Sequence, residues 1–285
     1  MRSEFDFIEN LRNNFNFSAI GDDCAVLPKS STHDLLISAD MLVEDIDFRL
    51  EWAPPKCIGH KALAVSLSDI AAMGGRPTHS LLSIGIPEKL WKTDFVDEFY
   101  EGYTKLAKQF DVELVGGDIS KTPDKVVVDS VVLGEVPKSK AILRSGAKPS
   151  DLIYVTGELG GAHAGLNLLE SGEFFGNLED ASKDSLISKQ LSPLPLAGEA
   201  FLEIATSMID ISDGLSGDLA NICRASKVGA KIDANKLPFN ENLSSFYSQK
   251  SEQIDIALNG GEDFELLFTV NPKNISQNFS RLSME

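Results

Sequence analysis

Cysteine is scarce: Cys24, Cys57 and Cys223 are far apart and lack CxxC spacing, which leaves neither a disulfide framework nor a zinc site. They read as packing thiols of a reducing compartment. Basic charge is also short, with 26 Lys and Arg against 43 Asp and Glu and a formal net charge of −17. That balance argues against a long-range pull on nucleic acid or an anionic membrane, so an anionic ligand must be received locally. No run is long and apolar enough to span a bilayer, and the initial MRSEFDFIENL has no basic segment followed by an apolar one. A cytoplasmic location is expected. The motifs GxxxxGK[ST], GxGxxG, HExxH and GxSxG are all missing, and the four histidines show no metal-ligand spacing. A Walker-type kinase is excluded, and zinc and hydrolase readings lose most of their weight.

What is present is ordinary globular composition, 42% apolar and 24% charged, in a length that favours two domains. Strands are expected over 34–40, 126–136, 152–156, 208–211, 254–258 and 264–270, helices over 56–73, 92–110, 195–207 and 215–225, and a glycine-rich turn entering a helix over 157–169. Residues 171–192 read as a polar, helical insertion. The stretch 137–151, with prolines near both ends, is the candidate linker. The expectation is an α/β chain of α+β character, with domains over 1–137 and 138–285.

Acidic residues recur at glycine-flanked strand ends: Asp23, Asp40, Asp118, Asp210, Asp213 and Glu262. Singly, each could be a helix cap or turn residue. Asp69 differs, because a carboxylate amid Val65, Leu67, Ala71 and Ala72 is costly if buried unpaired and calls for a cation or hydrogen bonds. Taken together, the acids fit Mg²⁺, which prefers hard oxygen ligands and uses one or two carboxylates per ion, so several ions are implied. Divalent cations would also let an acidic chain hold a triphosphate next to a second phosphate. The chemistry expected is transfer of the γ-phosphoryl group of ATP.

Seven ordered segments then resemble one family, the thiamine-monophosphate kinases of the aminoimidazole-ribonucleotide-synthetase-like superfamily. They are IGDDCAV at 20–26, ISADMLVE at 37–44, KALAVSLSDIAAMG at 61–74, VGGD at 115–118, RSGAKP at 144–149, IDISDGL at 209–215 and GGEDFELLFT at 260–269. The resemblance implies two α/β domains with the nucleotide between them, and a homodimer formed through the N-terminal domain. It implies in-line phosphorylation of thiamine monophosphate by ATP to thiamine diphosphate, with several Mg²⁺ ions. By the same resemblance, Asp23, Ser38, Ala39, Asp40, Asp69, Asp118, Asp210 and Asp213 are metal positions. Ser38, Tyr100, Gly117, Asp118, Arg144 and Ser212 are nucleotide positions, Asp47 and Glu262 face the substrate, and Asp40, Asp118 and Arg144 carry catalysis. Two features depart from the family's pattern. Asp47 stands where a substrate-contacting histidine is common. The C-terminal segment that carries an aromatic residue over the thiamine moiety has no counterpart before Glu285. Other superfamily chemistries, on a formylglycinamidine ribotide, selenide or a carbamoyl group, remain as alternatives, as does a ligand-binding protein without catalysis.

Overall fold

The computed structural model describes residues 4–15, 17, 20–174 and 180–274. After a first helix, α1 (Glu4–Phe15), a five-stranded sheet forms from β1 (Ala25–Pro28), β2 (His33–Val43), β3 (Arg76–Pro87), β4 (Glu113–Thr122) and β5 (Val127–Pro137). Its order is β1-β2-β5-β3-β4. Neighbours are antiparallel except β3 and β4, whose parallel pairing follows from the crossover made by α3 (Phe95–Gln109). β2 and β5 alternate strictly, so Leu36, Ser38, Leu42, Val128 and Val132 turn toward the helices while Leu35, Ile37, Met41, Val131 and Leu133 turn away.

α2 (Pro55–Ala72) is buried on nearly all sides, which is why its apolar residues show no single stripe. The sheet covers one side and α3 another. The α2–α3 crossing is close because both partners lack a side chain there: a Cβ on Gly102 would stand 1.8 Å from the Lys56 carbonyl oxygen, and one on Gly59 2.0 Å from that of Phe99. The C-terminal end of α2, Ala71 and Ala72, packs into a cluster with Ile142, Phe201, Met208 and Phe268. One helix therefore belongs to two cores.

The second sheet has the order β6-β8-β7, all antiparallel, from β6 (Leu152–Val155), β7 (Ala205–Asp210) and β8 (Leu266–Val270). Helices α4 (Gly161–Glu170), α5 (Ala181–Leu191), α6 (Leu215–Ser226), α7 (Leu243–Phe246) and α8 (Lys250–Asn259) surround it. Every residue of β8 is buried, with Leu266, Phe268 and Val270 in the cluster shared with α2, and Leu267 packed with Leu219 and Ile222 of α6. Among the described residues no helix is long and apolar enough to cross a membrane.

Three expectations are corrected. Residues 254–258 are helical, within α8, because the strong helix formers Lys250, Glu252 and Gln253 extend the short apolar run into a three-turn element. Residues 195–207 form only a 3-10 turn at Gly198–Phe201 followed by the start of β7. Gly198 lies so close to the Ala71 carbonyl that the chain passes α2 without winding a helix of its own. Asp118 does not stand at a strand end, because Gly116-Gly117-Asp118 is the middle of β4. Part of the expected insertion, residues 175–179, lies outside the described residues; the rest contains α5.

Candidate active site

α2 delivers three polar side chains from its interior face: Ser66, Ser68 and Asp69. Each meets a residue of a strand. The Ser66 hydroxyl donates to Asp40 Oδ2 (2.9 Å) on β2 and to the Ser130 carbonyl (3.1 Å) on β5. Ser68 donates to Asp210 Oδ2 (2.8 Å) at the end of β7, a buried bond that ties α2 to the second sheet. Asp69 accepts from Ser38 Oγ (2.5 Å), the inward-facing hydroxyl of β2, which also lies 3.3 Å from Asp40 Oδ2.

Asp23, in the loop before β1, completes the group. Carboxylate oxygens of Asp23, Asp69 and Asp210 all lie within 4.8 Å of one another. Two unit charges at that distance repel by about 3.5 kcal/mol at an effective dielectric of about 20, and three such pairs must be compensated. Asp69 carries a further penalty: it sits in the last turn of α2, where the helix dipole disfavours an anion. Burial above all, then the charges of Asp40, Asp210 and Asp23, push the Asp69 carboxyl well above the usual carboxylate range. Burial, then Asp23, does the same to Asp210. Burial also raises Asp40 against its serine hydrogen bonds, and Asp23 against the attraction of Arg144. Arg144, from the connection between β5 and β6, places Nη2 2.6 Å from Asp23 Oδ1, while its backbone N–H donates to Asp22 (2.7 Å).

The donor set suits a hard divalent cation. It consists of carboxylate oxygens, and the buried Oδ2 of Asp23 has no hydrogen-bond partner. Asp23, Asp69 and Asp210 would hold Mg²⁺, with Asp40 close enough for its charge to act on Asp69 and Asp210.

A cleft of about 410 Å³ lies between the two halves of the chain, and of the acids above only Asp40 is in its lining, together with Asp47, Phe48, Trp52, Ser212 and Asp213. Ser212 and Asp213 occupy the turn between β7 and α6, where their backbone N–H groups both donate to Asp218 (3.2 and 3.1 Å). Burial, and the nearby Asp213 charge, push the Asp218 carboxyl up to about 7. Glu262 reaches the cleft from the loop between α8 and β8. Its carboxylate bonds Lys61 (2.7 Å) and Gln190. Asp47 lines the cleft too, but one of its oxygens accepts the Val43 N–H (2.7 Å), so it also closes the turn after β2.

Three of the sequence-predicted positions stand elsewhere. Gly117 and Asp118 lie on the edge strand β4, exposed, and Tyr100 packs edge-on against Phe99 on α3, away from the cleft lining. Ala39 faces outward, leaving only its backbone near the acids. The sequence reading did not single out Lys61, Asp218 or Gln190. Lys61 carried a signal, since Lys61, Val65 and Asp69 follow one another at i, i+4 and i+8 on one helix face; Gln190 carried none.

Two family models match the chain: AIR synthase related protein, N-terminal domain, over residues 21–136, and AIR synthase related protein, C-terminal domain, over residues 148–278. The thiamine-monophosphate kinase of Bacillus subtilis (strain 168) is 40% identical over 255 residues, 88% of this chain and 77% of the relative. That of Escherichia coli (strain K12) is 41% identical over 259 residues, 90% and 77% of the two chains. A solved structure of AaThiL complexed with AMPPCP and TMP superposes with a TM-score of 0.87 at 32% identity, covering 96% of this chain and 88% of that one.

Proposed function

The chain belongs to the thiamine-monophosphate kinases of the AIR synthase related family, and from that membership we propose that it transfers the γ-phosphoryl group of ATP in line to thiamine monophosphate, yielding ADP and thiamine diphosphate. The observation that carries the reading is the convergence of Asp23, Asp69 and Asp210, linked through the Ser38 hydroxyl to Asp40 in the lining of the cleft. The acceptor oxygen belongs to a phosphate already ionised at neutral pH, so no general base is required, and catalysis reduces to positioning and charge stabilisation.

Each residue then has a task. Asp23, Asp40, Asp69, Asp210 and Asp213 hold Mg²⁺, which when bound neutralises charge on the ATP phosphates. Ser38, Ser66 and Ser68 aim those carboxylates. Arg144 fixes Asp23 and keeps its Nε, otherwise without a partner, for a phosphate oxygen. Ser212 faces the nucleotide, and Asp47 and Glu262 face the acceptor.

The domains of this reading divide at residues 137 and 138, and the active form is a homodimer. The sheet face turned away from α2 supports the second point, since it exposes Leu27, Met41 and Leu81 by 41%, 59% and 38%. The same face carries Asp118, in register with Ser83, Asp129 and Met41. A second copy packed there would receive Gly117 and Asp118 near its own nucleotide. ATP consumption measured over a panel of acceptors tests the activity. Stimulation by thiamine monophosphate is expected; stimulation only by a formylglycinamidine ribotide, selenide or a carbamoyl compound would replace it.

A further inference from the structure

Among the described residues only two cationic side chains line the cleft, Arg49 and Lys61. Arg49 is at the rim: its side chain is 44% exposed and its guanidinium lies 4.8 Å over the Trp52 ring. Lys61 is inside. Its side chain is 4% exposed, with Nζ 2.7 Å from Glu262 Oε1 and 3.5 Å from the Asp47 carbonyl oxygen. An ammonium has three donors, and these two oxygens use two of them, leaving the third for the cleft.

The surroundings of Lys61 hold it in place. Glu262 adopts the left-handed conformation (φ 67°), rare for a residue with a side chain. It is kept there by its N–H bond to the Ser212 carbonyl (2.9 Å) and by Gln190, which donates to the carboxylate from α5. A strained residue that its neighbours over-determine is a common sign of function. Along α2, Lys61 stands two turns from Asp69 on the same face, an axial separation of about 12 Å. The acid group that receives the ATP phosphates is thus at one end of this ruler and a desolvated cation at the other. In a chain of net charge −17, an incoming acceptor phosphate meets no other buried cation along the lining.

Resting on the kinase reading above, we propose that Lys61 binds the phosphate of the acceptor directly, and is the residue by which the site tells thiamine monophosphate from thiamine. Glu262 is its partner while the acceptor is absent and aims the ammonium when it arrives.

Isothermal titration of thiamine and thiamine monophosphate, with Mg²⁺ and a non-hydrolysable ATP analogue, tests this on the wild-type chain and on K61M. The wild type should bind the monophosphate more tightly than thiamine. K61M should lose about tenfold or more in monophosphate affinity with thiamine affinity unchanged, the scale of one charge-assisted hydrogen bond. Equal losses for both ligands, or none for the monophosphate, would overturn the assignment of Lys61 and leave the kinase reading standing. A folded wild type that binds neither ligand would overturn both. If K61M does not fold, the wild type decides: thiamine monophosphate, and not thiamine, must slow reductive methylation of Lys61 as read by mass spectrometry, and equal protection by the two refutes the proposal.

Discussion

Asp40 and Asp118 stand on opposite faces of one sheet and three strands apart. Asp40 pairs across to Ser130, Ser130 to Leu82, and Leu82 to Gly117, the residue before Asp118. At roughly 4.8 Å per strand, the row spans about 14 Å. Asp40 turns in toward α2, whereas Asp118 is exposed with Met41 and Ser83 on the other side. Within one protomer they cannot share a metal ion.

Mixed subunits decide whether both serve one site across a dimer. Asp40→Asn and Asp118→Asn should each lower turnover by about 10²-fold or more while circular dichroism stays native. Unfolded together and refolded in equal amounts, the two inactive chains should recover about a quarter of wild-type activity, because half the dimers are mixed and each holds one intact site. No recovery, with mixed dimers demonstrated by mass, would place Asp118 outside the partner's site.

The raised carboxylates set a pH dependence. Asp69, Asp210, Asp23 and Asp40 bind protons more readily folded than unfolded, and Asp218 does so up to about 7. Between their ordinary value near 4 and their raised values, the folded state therefore holds more protons, and stability falls as pH rises. Thermal unfolding of metal-free protein should show a lower midpoint at pH 8 than at pH 6. Mg²⁺ should raise the midpoint more at pH 8, where it competes with fewer protons. A Mg²⁺ effect independent of pH would argue that the ion binds elsewhere.

The α2–α3 crossing allows no side chain at Gly102. Gly102→Ala should destabilise the chain by about 3 kcal/mol, because a Cβ 1.8 Å from a backbone oxygen forces the helices apart. Urea denaturation reads the loss directly. A neutral result would mean that the crossing relaxes without cost.

Much of the site was legible because its physics is local. Aspartates beside glycines at strand ends, and one acid in an apolar helix, marked Asp23, Asp40, Asp69 and Asp210 before any fold was in view. The strand around Asp40 followed from the apolar run Leu35-Leu36-Ile37, and the helix around Asp69 from an alanine-rich segment followed by Gly74-Gly75. β3 was not foreseen: Pro77, His79 and Gly85 interrupt its pattern, and its partners β4 and β5 lie 34 or more residues away in the register pairs. The helix at 250–259 was masked by the short run Ile254–Leu258, where periodicity cannot separate strand from helix. Asp118 was grouped with the other acids because it too follows glycines. Which face of the sheet it occupies depends on register with β3, and a sequence read residue by residue does not contain that.

The central claim is tested most directly by chromatography of a reaction containing the folded chain, ATP, Mg²⁺ and thiamine monophosphate. Thiamine diphosphate and ADP are expected in equal amounts, and neither when Mg²⁺ is chelated. ATP consumption without thiamine diphosphate, or no turnover by a folded dimer, would contradict it.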